Sequence, residues 1–302
     1  MSREDWKAEI RALVEIYYDV QKVRVGSYNR TLQIASYKKI PGVDDESAAK
    51  KEKAVNKWLG EYLGESNPLS LEKVENSLAK RINATLVDAN LPIYYDLQAV
   101  KGIGPILAAG LLAYFDPVDH WSMCSLPPKE RCKPAEGYDK YGKVPPCEHS
   151  HMIMPKHPSS FWAYAGLDVV NEQDGDGNIT SSHARKRQHG VQSNWNTKVK
   201  TLLWKVSDSF IKQRTPIYRI VYDRVKEREM ERLKDTEKGW KGHADARARR
   251  AMEKRFLADF WEHYRKSLGL PVSDPYVLEK LGHKRDDLGD GIAVAVSHRL
   301  TK

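Results

Sequence analysis

Apolar residues recur at helical spacing over most of this chain. Trp6, Ile10, Leu13, Ile16 and Tyr17 repeat every three or four positions behind Ser2, a residue suited to capping a helix. Val20, Val23 and Val25 extend the pattern, Gly26 weakens it and Pro41-Gly42 ends it. Further helices are predicted from Asp45 to about Leu63 and from Ser70 to Val87. The long helices form either a coiled-coil, dimerising arm or a small bundle. Apolar segments on both sides of Lys101–Pro105 predict a pair of helices joined by a tight turn, and residues 161–167 a short buried helix. Asp168-Val169-Val170 and Asn178-Ile179-Thr180 flank Asp174-Gly175-Asp176-Gly177 and predict a small β-hairpin. That central string has the opening of a calcium loop without its closing glutamate, which makes it turn chemistry.

Beyond it, Ser193 or Asn194 is placed to cap a helix with Trp195, Val199, Leu202, Leu203, Val206 and Phe210 on one face. Another helix is expected around Tyr218 to Lys234. A third, from about His243 to Lys266, buries Ala248, Met252, Phe256, Phe260 and Tyr264. The fold class expected is mainly α: long N-terminal helices, a helix-hairpin-helix core, one small β-hairpin and basic C-terminal helices. Three segments follow: a helical arm at 1–90, a helix-hairpin-helix domain at 91–235 with a Cys/His-rich insertion at 121–158, and a basic helical extension at 236–302.

Charge changes this picture more than composition does. Between Ser181 and Arg255 there are 21 Lys/Arg and 9 Asp/Glu, a net of +12, whereas the whole chain carries only +9. The positive excess therefore lies in one stretch, and such a surface attracts polyanions, nucleic acid above all; the alternative is a set of solvated helix faces. No window approaches the roughly 18 uninterrupted apolar residues of a membrane span, so no membrane partner is expected. The charged start Met1–Trp6 lacks the apolar core of a signal peptide, and three cysteines cannot all pair; both point to the cytoplasm.

The segment Lys101-Gly102-Ile103-Gly104-Pro105 has the spacing of a helix-hairpin-helix motif, with Leu97 and Val100 before it and Ala108, Leu111 and Leu112 after it. Two glycines allow the tight turn, Ile103 fills the gap between helices, and Pro105 suits the first helical turn. Amides at Gly104, Ile106 and Leu107 then point outward at a helix N-terminus, where a phosphate oxygen fits, and Lys101 adds charge. Gly102 completes the turn. Such a grip reads backbone and is sequence-blind. Basic stripes follow downstream: Lys198, Lys205 and Lys212 at seven-residue spacing, and Arg247, Arg250 and Lys254 on one helical face.

All three cysteines fall in the proline-rich stretch from Cys124 to His157. Cys124, Cys132, Cys147 and His149 (or His151) would supply the four ligands of a structural zinc, which would order a long loop with little core of its own; free thiols in an insertion are the alternative.

From Leu97 to about Phe210 the order of features resembles the C-terminal domain of the insertion-sequence 110 family of transposases, whose active members are RNA-guided recombinases. The residues carrying the resemblance are Val100–Pro105 with Ala108-Ala109, then Ala163-Tyr164-Ala165-Gly166-Leu167. Next come Ser181/Ser182 before Arg185-Lys186-Arg187 and Gly190, and Asn194, Asn196, Lys198 and Lys200 opening a basic helix. The resemblance implies DNA binding through these positions and Lys205, and a serine nucleophile at Ser181 or Ser182 that attacks a DNA phosphate. A base such as His183 or His189, and magnesium if the chain is catalytic, would activate it. Three features depart from the family: residues 1–95 are too short and helical for its resolvase-like nuclease domain, the cysteine-rich insertion is extra, and His183 stands where glycine usually follows the serine. The leading expectation is a DNA-binding protein related to transposases, acting on duplex, ends or junctions. The alternatives are a serine-using strand-transfer enzyme and an accessory protein that meets RNA or an acidic partner.

Overall fold

The computed structural model describes residues 5–37, 70–115, 122–124, 150–152, 157–173, 179–184, 195–234, 240–272 and 288–300, with single or paired positions between them. The fold is mainly α, and the chain divides into two compact units, Met1–Asn90 and Leu91–Lys302.

In the first unit, helix α1 (Asp5–Tyr37) packs against α2 (Ser70–Asp88). Arg81 meets Glu9 at 2.7 Å, while Arg24 meets Glu75 at 2.7 Å and Gln21 donates to the same carboxylate at 2.8 Å, so the two helices run antiparallel. The buried line of α1 is Trp6, Ile10 and Val14, whereas Ile16, Val23 and Val25 are exposed. The expected apolar face thus holds only near the N-terminus. Farther along, Gln21 and Arg24 meet α2 through the Glu75 carboxylate, so polar pairing replaces apolar packing. Gly26 does not interrupt α1. Of the helix expected from Asp45, only Lys50, Ala54 and Lys57 are described, each helical; the remainder lies outside the described residues.

The second unit is built on α3 (Pro92–Ala99), α4 (Pro105–Phe115), α5 (Ser159–Tyr164), α6 (Thr197–Gln213), α7 (Tyr218–Leu233), α8 (Trp240–Ser267) and α9 (Gly291–Leu300). Helix α4 is apolar around its whole circumference and is buried from Ala108 to Phe115, which makes it the centre of the unit. Gly110 lets α6 approach it: a Cβ there would meet both methyl carbons of Leu202 at 3.0 Å. Aromatic rings continue the core outward. Phe115 packs on Phe161 at 4.6 Å and on Phe260 at 5.9 Å between ring centroids, and Phe210 stacks on Tyr218 at 4.6 Å with Phe256 edge-on to both. Residues 236–302 are therefore no separate extension, because the rings of α8 form the core of this unit.

Two short antiparallel pairings accompany the helices. Strand β1 (Ser122–Cys124) pairs with β2 (Ser150–Met152), and β3 (Val169–Gln173) pairs with β4 (Ile179–Ala184), with an irregularity between Glu172 and Gln173. No helix among the described residues is long and apolar enough to cross a membrane.

Candidate nucleic-acid interface

The turn between α3 and α4 closes on itself and is then fastened from behind. Val100 N–H donates to Leu97 O at 3.1 Å and Ile103 N–H to Val100 O at 3.0 Å, which ends α3 and buries the Ile103 side chain. Gly102 takes a φ of +97°, a conformation side-chain-bearing residues avoid. Its position faces α6: a Cβ would meet Ser209 Oγ at 3.0 Å and Thr215 Oγ1 at 3.3 Å. Those hydroxyls hold the turn, Ser209 Oγ donating to Gly102 O and Thr215 Oγ1 to Lys101 O, each at 2.7 Å. Gly102 is thus a packing residue and not the contact surface expected of it. The link carrying Thr215 is itself unusual. Arg214 ends α6 in the left-handed conformation, and Ile217, at φ 69° and ψ −61°, centres a three-residue turn closed by Tyr218 N–H to Pro216 O at 2.8 Å.

Gly104 behaves oppositely. It is exposed, nothing lies within 4 Å of a Cβ built on it, and its carbonyl accepts from Ala108 N–H at 3.0 Å, so it caps α4. Pro105 follows at the first helical position, and the amides of Ile106 and Leu107 have no carbonyl one turn back to bond. Lys101 is exposed beside them. One end of the hairpin is therefore locked to α6 and the other opens outward.

The basic residues downstream divide into several environments. Asn196 is the N-cap of α6: its Oδ1 accepts from Lys198 N–H at 3.0 Å and Val199 N–H at 3.2 Å, and its Nδ2 donates to Tyr164 OH at 2.8 Å. Its side chain is committed to the fold, and the cap falls at Asn196 and not at Ser193 or Asn194 because Tyr164 anchors it there. Arg247 donates to Glu229 at 3.0 Å, a nearly buried carboxylate that Arg232 and Arg228 also contact, at 2.6 and 3.3 Å. It thus departs from the face of Arg250 and Lys254. Lys198 is exposed on the first turn of α6, Lys205 is half-buried, and Lys212 pairs with Asp208 at 2.6 Å.

Lys200, Arg250 and Lys254 gather at the turn 162–168. Lys200 Nζ donates to Gly166 O at 3.2 Å and lies 5.4 Å from the Trp195 ring centre; Lys254 Nζ lies 5.1 Å from that of Trp162. Trp162 Nε1–H in turn donates to Lys254 O at 3.0 Å. Gly166 permits this closeness, since its φ is +66° and a Cβ there would strike the Trp195 ring at 2.4 Å. Burial lowers all three cations, Lys254 to about 8, while Asp168 acts on each in the opposite sense.

Ser181 and Ser182 lie on β4, paired through their backbones with Glu172 and Asn171, and not in the flexible loop expected of them. Cys124 lies on β1 opposite Ser150. Arg185, Lys186, Arg187, Asn194, Cys132, Cys147 and His149 lie outside the described residues. Among the described residues no cluster of His, Cys, Asp and Glu could hold a metal ion.

Sequence reasoning missed Ser209, Thr215, Asp168 and Glu253. Each looks like an ordinary polar position of a helix or turn, and only the packing of α6 against α3, α4 and α8 gives it a role. No protein-family model matches the chain, and no curated protein sequence matches it.

Proposed function

We propose that this chain binds DNA through the phosphate backbone, as a relative of the transposases its second unit resembles, with ends or branched duplexes as its preferred substrates. The observation that carries this reading is the asymmetric hairpin. Its inner glycine is locked against Ser209 and Thr215, while its outer glycine, unbonded helix amides and Lys101 face open space. A helix N-terminus presented in this way suits a phosphate oxygen, and the +12 net charge between Ser181 and Arg255 supplies sequence-independent attraction in the same unit.

Gly104→Val tests it. The site has room for the side chain, and losing a glycine cap costs about 1 kcal/mol at most, so the variant folds. Affinity for all DNA sequences should fall alike, by about tenfold, as one backbone contact is blocked. Unchanged affinity, or loss confined to one sequence, contradicts the reading.

The backbone pairing of Ser181 and Ser182 favours a second reading, serine-using strand transfer, because a paired strand fixes a nucleophile better than a loop does. In that chemistry the serine oxygen bonds to phosphorus, one DNA oxygen leaves as a hydroxyl, and the serine proton passes through a base to that leaving oxygen. Zinc held by Cys124, Cys132, Cys147 and His149 is proposed as a structural element only.

A further inference from the structure

Most cations of this chain that sit in partly buried positions meet a carboxylate. Arg24 bonds Glu75, Arg219 bonds Asp223 and Lys226 bonds Asp245, each at 2.7–3.0 Å, and each cation is held more firmly charged for it. Lys200, Arg250 and Lys254 are different. They are half-buried around one short turn, their closest fixed neighbours are a carbonyl and two tryptophan rings, and burial works against their charge. Two acids stand near: Asp168, felt by all three, and Glu253, felt by Lys200 and Arg250. Glu253 lies deep between α6 and α8 beside Ser207, and burial raises it to about 7, so it supplies only part of a negative charge at neutral pH. Three cations thus face little more than one anion. Partly desolvated charge without a full partner costs stability, and an incoming anion offsets that cost.

The position of the excess matters as well. Asp168 immediately precedes β3, whose Val169 pairs with Ala184 and Asn171 with Ser182. At about 3.4 Å per residue, the Ser182 backbone lies roughly 10 Å along the strand pair from Asp168. Arg250 offers a planar fork suited to two phosphate oxygens, with lysine ammonium groups on either side.

We propose that Lys200, Arg250 and Lys254 form a binding site for one phosphate group of a nucleic-acid strand, held at the turn 162–168 beside the strand that bears Ser181 and Ser182. The identity of the phosphate carrier rests on the DNA-binding reading; the anion site itself does not.

Wild type, Arg250→Gln and Lys254→Met are compared by thermal unfolding in sodium phosphate and in sodium chloride of equal ionic strength, and by anisotropy with labelled duplex DNA. Methionine keeps the stem packed on Trp162, so the fold is preserved. The expected result is that phosphate raises the Tm of wild type but not of the variants, and that each variant loses about tenfold in DNA affinity. In chloride, both variants melt at or above the wild-type temperature, because an uncompensated charge has been removed. If the variants melt lower in chloride and bind DNA within twofold of wild type, the cluster is an internal stabilising network and the proposal is overturned. Phosphate stabilisation that the variants abolish, in a protein that binds no DNA, would uphold the anion site and sink the DNA-binding reading. DNA binding that neither variant changes, with no phosphate effect, would sink the site and leave that reading intact.

Discussion

Replacing Gly102 with alanine is expected to cost the second unit about 2–4 kcal/mol. The native φ of +97° lies beyond the left-handed region that alanine tolerates, and holding a non-glycine residue in such a conformation costs about 1–3 kcal/mol. The new methyl also meets Ser209 Oγ at 3.0 Å and Thr215 Oγ1 at 3.3 Å, so one or both hydroxyls must shift from their 2.7 Å bonds to the turn carbonyls. Losing one such bond adds about 1 kcal/mol. For a unit of this size 1 kcal/mol moves Tm by roughly 2–4 °C, so a fall of roughly 5–12 °C is expected in calorimetry or in fluorescence-detected unfolding. Ser209→Ala, which removes one bond without strain, should cost only about 1 kcal/mol, and Gly104→Ala less than Gly102→Ala. A Gly102→Ala protein that melts within about 2 °C of wild type would refute the claim that this turn is locked against α6.

Other consequences concern acid stability, zinc and the serines. Burial of Asp245 opposes its charge, but hydrogen bonds from Tyr222, Arg249 and Lys226 outweigh it and hold the carboxyl at about 2, below its ordinary 3.8. A depressed folded-state value means stability present above about pH 4 and lost as pH falls toward 2. Urea unfolding at pH 7, 4 and 2.5 should show that Asp245→Asn is destabilised at pH 7 and loses less than wild type on acidification; parallel curves would contradict this. Elemental analysis should find about one zinc per chain, absent after Cys132→Ser, and metal-free protein with an ordered insertion would remove the zinc proposal. With junction DNA and magnesium, a strand-transfer enzyme gives an SDS-stable adduct that Ser181→Ala/Ser182→Ala abolishes, whereas a pure binder gives none.

The helices were legible where capping and periodicity agreed. Ser70 and the apolar line through Ile82 and Leu86 mark α2, and the Gly-Ile-Gly-Pro string marks the break between α3 and α4. The division of labour between the two glycines was not legible, since both suit a tight turn and only contact with Ser209 separates them. Nor was the fate of the basic stripes. The spacing of Arg247, Arg250 and Lys254 puts them on one face, but that face meets α7 and Glu229 at one end and the turn 162–168 at the other. Periodicity tells which residues share a side of a helix and is silent on whether that side meets water, a carboxylate or another helix. The serines were misplaced for a related reason: β4 ends in polar residues, and its pairing with β3 carries on past the Val-rich start that the sequence advertises.

The central claim is that positive charge and an open helix terminus grip the DNA backbone without regard to sequence. Fluorescence anisotropy on two unrelated duplexes and a four-way junction, over a salt series, tests it most directly. The account predicts that log affinity falls linearly with log salt, with a slope steeper than about −4 that is equal for the two duplexes, as five or more neutralised phosphates require. No binding, or a shallow slope, would contradict it and leave the basic stretch as solvated helix faces.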